Sequence, residues 1–311
     1  MHAYLPLTQI AARWTITLGW TACLLFQCAT AAGETRSQQG PPMRTRFLDS
    51  LNNREISEYL RRSDVIVIPV GTVELHGEMP VGCEHVLPLA FAKRIAEEAD
   101  ALVLPGMVYF YPGATAIAQG TVSVRPSAGA AYLKEVCHSL LRQGFRRQLI
   151  LTAHGPALYT VMPAVREFFE ENKTPVAFLD LSARFVQLER KGPGEVDFNK
   201  LIWGAYYLLG RLAEIPMDQR PVQRAEQPAP LTQLQRDGVQ FGYFFSDLTH
   251  HGWWPQKQLT PAERLARAKE GVEQIERVVR DINPRKLIED MKSFDTWVHT
   301  EVLPKWQKQL P

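Results

Sequence analysis

The chain of 311 residues carries 35 Lys and Arg against 33 Asp and Glu, a net charge of +2, with 45% hydrophobic and 22% charged residues. This balance excludes an intrinsically disordered chain, a collagen and a small disulfide scaffold. No run of basic residues is present that could follow a phosphate backbone, so nucleic acid is not an expected partner.

Residues 1–32 differ from the rest. Arg13 is their single full charge, the apolar residues Ile16, Leu18, Trp20, Leu24, Leu25 and Phe26 follow it, and Ala29, Thr30, Ala31 and Ala32 close the stretch. A basic residue, an apolar run and small residues in that order predict a cleaved signal peptide, hence export to a periplasmic or extracellular space. Thr15, Thr17, Gly19, Thr21, Gln27 and Cys28 dilute the run below the apolar content of a membrane span, so no stable membrane insertion is expected after cleavage. Removing the leader takes Cys23 and Cys28 with it and leaves Cys83 and Cys137, too few for a disulfide framework. Residues 33–43 are polar with Gly and Pro and predict a flexible tether. Residues 44–311 are expected to form one domain, large enough for a core of its own.

Within that stretch the continuous β-branched run at residues 64–70 predicts a strand buried on both faces. Leu87, Phe91 and Ile95 recur at helical spacing, and residues 101–104 form a second short apolar run. Tyr132, Leu133, Val136, Leu140 and Leu141 mark a helix closed by Gly144, and a third strand at 148–152 leads into Ala153-His154-Gly155. Val161, Val165, Phe168 and Phe169 give the next helix, and residues 176–181 the next strand. A helix is expected over 201–212 and a long loop or hairpin region over 218–237, which is rich in Pro and Gln. Thr260-Pro261-Ala262-Glu263 is a capping box with Pro at the first helical position, opening a helix that ends at Asn283-Pro284. Strands alternating with helices predict an α/β fold, a layered α/β/α sandwich with a mostly parallel central sheet.

In such sheets chemistry gathers beyond the carboxyl ends of the strands. Two polar segments stand there: Glu74-Leu75-His76-Gly77-Glu78, with Glu84-His85 close behind, and His154-Gly155. Alternation in an extended segment would put Glu74 and His76 on one side, and carboxylate plus imidazole is a ligand set for zinc, manganese or another divalent first-row ion. A surface Glu-x-His pair without an ion is the competing reading of the spacing alone. Its place after a buried strand, with a second His-Gly after another strand, favours ligands. Cys83 reads as a small packed residue and Cys137 as core.

The run from Asp64 to Glu84 (DVIVIPVGTVELHGEMPVGCE) resembles the signature of the creatininase family, in which a strand with "PvGsxEqHG" leads to "HLPlgtD" and a helix. The likeness extends to residues 119–123, to 149–155 (the strand before the family's "NGHGGN"), and to His251-Gly252-Trp253 with the helix from Thr260. The resemblance implies a layered α/β hydrolase, usually a homo-oligomer. It also implies one or two divalent metal ions, zinc first and manganese second, that activate water to open a C–N bond in a small cyclic or linear amide. By position, Glu74, His76 and His154 fall on metal ligands. The bridging acid falls on Glu84 when the helices are kept in register, and on His85 when the spacing is left ungapped. The chain departs from the pattern at residues 152–157, which lack both Asn residues and the Glu two places after the His, and it has no counterpart of "HAGexETS", whose nearest match is Trp203-Gly204-Ala205-Tyr206-Tyr207-Leu208. A mononuclear site, or a second ion on another residue, with Asp180 and Glu78 as candidates, therefore stands beside a dinuclear one. His250 and His251, followed by two Trp residues, are the expected catalytic acid or base, against the plainer reading of a solvated His pair. The departures leave two other functions open: a hydrolase of the same fold acting on a keto-sugar, cyclitol or lactone ring, and a small-molecule binding protein that lost the chemistry.

Overall fold

Four apolar runs become four parallel strands: β1 (Val65–Pro69), β2 (Leu102–Val103), β3 (Arg147–Thr152) and β4 (Ala177–Asp180), in the order β2-β1-β3-β4. This computed structural model describes residues 43–308, apart from 191 and 193–195. The expected leader and all of the expected tether except Met43 lie outside the described residues, which fall within one unit, Gln39–Pro311. The helices are α1 (Asn53–Leu60), α2 (Cys83–Ala99), α3 (Pro126–Gln143), α4 (Leu158–Asn172), α5 (Leu181–Glu189), α6 (Phe198–Leu208), α7 (Ala229–Arg236), α8 (Pro261–Ile282), α9 (Pro284–Trp297) and α10 (Leu303–Gln307). Among the described residues no helix is long and apolar enough to cross a membrane.

The β-branched run of β1 is buried throughout because both of its faces are covered. Val65 and Val67, with Leu149 and Leu151 of β3, face a core built with α2, α5, α6, α8 and α9. The alternate residues Ile66, Ile68 and Ile150 face a second core built with α1, α3 and α4. A strand's period of two thus divides one sequence run between two hydrophobic layers, which gives the α/β/α sandwich. On the first side α6 and α8 meet closely. A Cβ on Gly204 would come within 2.3 Å of the Gly271 backbone, so the helix pair depends on hydrogen at both places.

Two expectations need correction. The Pro-rich stretch at 218–237 holds no hairpin; it contains α7, entered through Pro228 and exposed or half-buried throughout, so no apolar stripe announced it. The helix expected over 201–212 stops at Leu208, and a short 3₁₀ turn (Leu212–Glu214) follows.

Candidate metal centre

After β1 the chain goes to β2 on one side, whereas after β3 it goes to β4 on the other, so the sheet has its switch point between β1 and β3. Glu74 and His76 follow β1, His154 follows β3, and Glu84 sits in the first turn of α2, where the helix N-terminus favours a carboxylate. All four are buried. The segment carrying Glu74 and His76 belongs to no strand, and a backbone bond from Glu74 N–H to the Val81 carbonyl (2.8 Å) ties it to the turn before α2; both side chains are buried on the same site, as the alternation expected.

The side chains converge. His154 Nδ1 lies 3.0 Å from Glu74 Oε1 and 3.7 Å from Glu84 Oε2, and His76 Nδ1 lies 3.4 Å from Glu84 Oε1. Glu84 stands between the other residues, while His85 belongs to no such group and feels the charges of Arg211 and Glu214 instead. Glu74 is fixed by two hydroxyls: Thr72 donates to Oε1 at 3.1 Å and Thr115 to Oε2. His154 Nε2 is 3.2 Å from the Tyr111 carbonyl; as a donor there it leaves Nδ1 to face the carboxylates. Burial works against charge on His154, but the Glu74 and Glu84 carboxylates overcome it and lift its pKa to about 10. Burial would raise the Glu84 carboxyl, yet the neighbouring His154 and His76 hold it below the usual range.

His251 joins this cluster from the far end of the chain. Its ring lies edge-on to His76 with centroids 5.0 Å apart, and burial, then His76, depress its pKa to about 4. Two sets of donor atoms each lie within 4.8 Å of one another: Glu74, Glu84 and His154, and His76, Glu84 and His251. His250, expected as an acid or base, takes another path. Its Nδ1 is paired with Ser246 Oγ at 2.9 Å, and it is not part of the cavity wall. Asp180 caps α5 by accepting from Ala183 N–H, and Glu78 accepts from Arg220 N–H, so neither reaches the cluster. Cys83 and Cys137 are packed core residues whose thiols burial pushes up.

Above the cluster opens a cavity of about 520 Å³, walled by Tyr111, Tyr159, Phe198, Phe241, Tyr243 and Phe245. His76, Glu84, His154 and His251 form part of its surface, and among the described residues no Lys or Arg lines it. The two threonines and the aromatics at 111 and 241–245 had no readable signal, because they come from short or irregular segments without periodicity, while Tyr159 and Phe198 stand in the first turns of α4 and α6, where helical spacing does not mark the wall of a cavity.

The family model for creatininase, described as creatinine amidohydrolase, matches residues 49–203. A 3-dehydro-scyllo-inosose hydrolase of Thermotoga maritima is 29% identical over 160 residues, covering 49% of this chain and 51% of its own length. A creatinine amidohydrolase of Pseudomonas putida is 31% identical over 115 residues, covering 35% of this chain and 44% of its own. The chain thus spans about half the length of the curated relatives it matches. The crystal structure of a creatinine amidohydrolase shares the fold at a TM-score of 0.59 and 20% identity, covering 80% of this chain and 99% of the other. Two further creatininase structures, a mutant of the Zn-Zn type and an Mn form, superpose at TM-scores of 0.55 and 0.54, with 21% and 22% identity; they cover 77% and 76% of this chain and 98% of their own.

Proposed function

Because the chain belongs to the creatininase family as a divergent member, we propose that it is a metal-dependent hydrolase opening a C–N bond of a small cyclic or linear amide. The observation that carries the reading is the buried meeting of Glu74, Glu84, His76 and His154 beneath an aromatic cavity. Their chemistry fits a divalent ion. His76 Nδ1 and Glu84 Oε2 are buried without a hydrogen-bond partner, and mixed imidazole and carboxylate donors suit zinc or manganese. A divalent ion supplies Lewis acidity there, polarising a carbonyl and acidifying water.

The chain's own residues do the rest. Glu74, Glu84 and His154 would hold the ion at the end of the sheet, with Thr72, Thr115 and the Tyr111 carbonyl fixing Glu74 and His154. The aromatic wall offers apolar surface to a small substrate, and a cavity in which no Lys or Arg is found among the described residues suits one that carries no carboxylate or phosphate. Of the two histidines considered for proton transfer, His251 reaches the cavity and His250 does not.

One observation favours a second reading, hydrolysis of a keto-cyclitol ring: the relative matching the greater length is an inosose hydrolase, and the "HAGexETS" counterpart, residues 203–208, is packed within α6 and carries neither His nor Glu. Export through a leader at 1–32 and homo-oligomeric assembly belong to the same proposal. The test is metal content by elemental analysis of the wild type, His76→Ala and His154→Ala, followed by turnover of creatinine and of a cyclic keto-polyol by the loaded protein. Metal in the wild type and a lower metal content in each variant are expected; protein that retains no divalent ion would overturn the reading.

A further inference from the structure

We infer that His251 is a ligand for a second divalent cation, held with His76 and Glu84, so that Glu84 is shared with the ion on Glu74 and His154. The inference rests on the metal reading above and extends it to a residue far along the chain.

The backbone delivers His251 to this place by a built contact. Residues 251–253 run alongside 76–78: Trp253 N–H donates to the His76 carbonyl at 3.4 Å, Glu78 N–H donates to the Trp253 carbonyl at 2.8 Å, and Gly77 and Trp253 form a parallel bridge. The approach is too close for side chains. Gly77 (φ +66°) and Gly252 (φ +96°) both adopt left-handed conformations, and a Cβ on them would lie 2.0 Å from the Trp253 oxygen and 2.2 Å from the His76 carbonyl carbon. This contact sets the residue before Gly252 against the residue before Gly77, that is, His251 against His76.

The side chains then leave a gap in their hydrogen bonding. His251 Nε2, His76 Nδ1 and Glu84 Oε2 are all buried and none makes a hydrogen bond, His76 Nδ1 and Glu84 Oε2 having only the longer ion-pair approaches of 3.4 and 3.7 Å. A buried polar atom left unpaired costs about 1–3 kcal/mol, and here three of them belong to one cluster whose donor atoms lie within 4.8 Å of one another. The Phe245 ring stacks on His251 at 5.4 Å and 16°, which fixes the imidazole plane. Two imidazoles and one carboxylate are a three-ligand set with a fourth position free. Since His76, Glu84 and His251 all line the cavity, that position opens where substrate would sit.

The experiment uses the full chain, stripped with a chelator and titrated with zinc alone, with bound metal counted by elemental analysis and cobalt substitution read by visible absorption. The wild type should bind about two ions and His154→Ala should lose one of them. His251→Ala and His251→Phe should keep about one ion, with affinity for the other reduced at least about 100-fold, and should lose the matching cobalt bands. The phenylalanine variant keeps the stacking on Phe245 without a nitrogen donor, so a folded protein with one ion separates loss of a ligand from loss of structure. Two ions in both His251 variants at wild-type affinity would overturn this inference while leaving the metal site itself standing. A wild type that binds one ion, lost in His154→Ala and kept in both His251 variants, would also overturn it. No ion in the wild type would remove both.

Discussion

Glu74 is the most enclosed carboxylate of the site, and two hydroxyls decide how it points: Thr72 holds one oxygen and Thr115 the other. Replacing Thr115 by the nearly isosteric valine keeps the packing and frees Oε2, so Glu74 loses its orientation without the fold losing volume. Partners of metal ligands of this kind are worth about 10–100-fold in metal affinity. Thr115→Val is therefore expected to bind zinc about 10–100-fold more weakly, measured by competition with a chromogenic chelator, and to lose about 1–3 kcal/mol of metal-free stability because Oε2 is left unpaired; equal affinities would show that Thr115 does not orient Glu74. Glu74, His76 and His154 were legible because each stands in a short motif past the end of a strand, and Glu84 was legible only through the family resemblance, which left His85 open beside it. Thr115 was not, since nothing in Gly113-Ala114-Thr115 distinguishes a hydroxyl that holds a carboxylate from one that meets water. His251 was legible as a functional histidine but not as a neighbour of His76, because that contact depends on two glycines meeting across the fold.

At the scale of elements, strands were readable where both faces are buried, since a continuous β-branched run has few other homes. Helix α7 was not, because its residues face outward and follow a Pro-rich entry. Helix α8 announced its start in full: Thr260 accepts from Glu263 N–H while the Glu263 carboxylate accepts from Thr260 N–H at 2.8 Å. Lys257 first, then Thr260, lower the Glu263 pKa to about 2 from its ordinary 4.5. A carboxyl depressed in the folded state stabilises above its unfolded pKa and loses that contribution as pH falls through the folded one. Stability from Glu263 is thus complete near pH 6 and declines between about 4.5 and about 2. Glu263→Gln should be less stable than wild type at pH 6 in urea unfolding, with the gap narrowing at pH 3; a gap independent of pH would rule out the ionised cap. Thr260→Ala removes the other half of the box and should cost about 1 kcal/mol.

Taken as a whole, the molecule places its costliest groups at one point. Two cores pack against opposite faces of a four-stranded sheet, and at the switch point between β1 and β3 buried carboxylates and imidazoles crowd together. Burying charged groups is unfavourable unless opposite charge is present, and the Glu84 carboxylate is the charge that both donor sets share. A divalent ion bound to the folded chain and not to the unfolded one therefore couples metal to global stability. At free metal about 100-fold above its dissociation constant this linkage contributes roughly 2.7 kcal/mol. For a domain of this size that corresponds to an unfolding midpoint about 5–10 °C higher than in the stripped protein. Calorimetry with zinc and with excess chelator should show that difference, and readdition of zinc should restore it. Glu84→Gln should reduce the difference most among the single variants, because it weakens both donor sets at once, whereas His154→Ala weakens only one. A midpoint that ignores chelator, zinc and the Glu84 substitution alike would mean that the cluster is held together by its own hydrogen bonds and protons, with no ion involved.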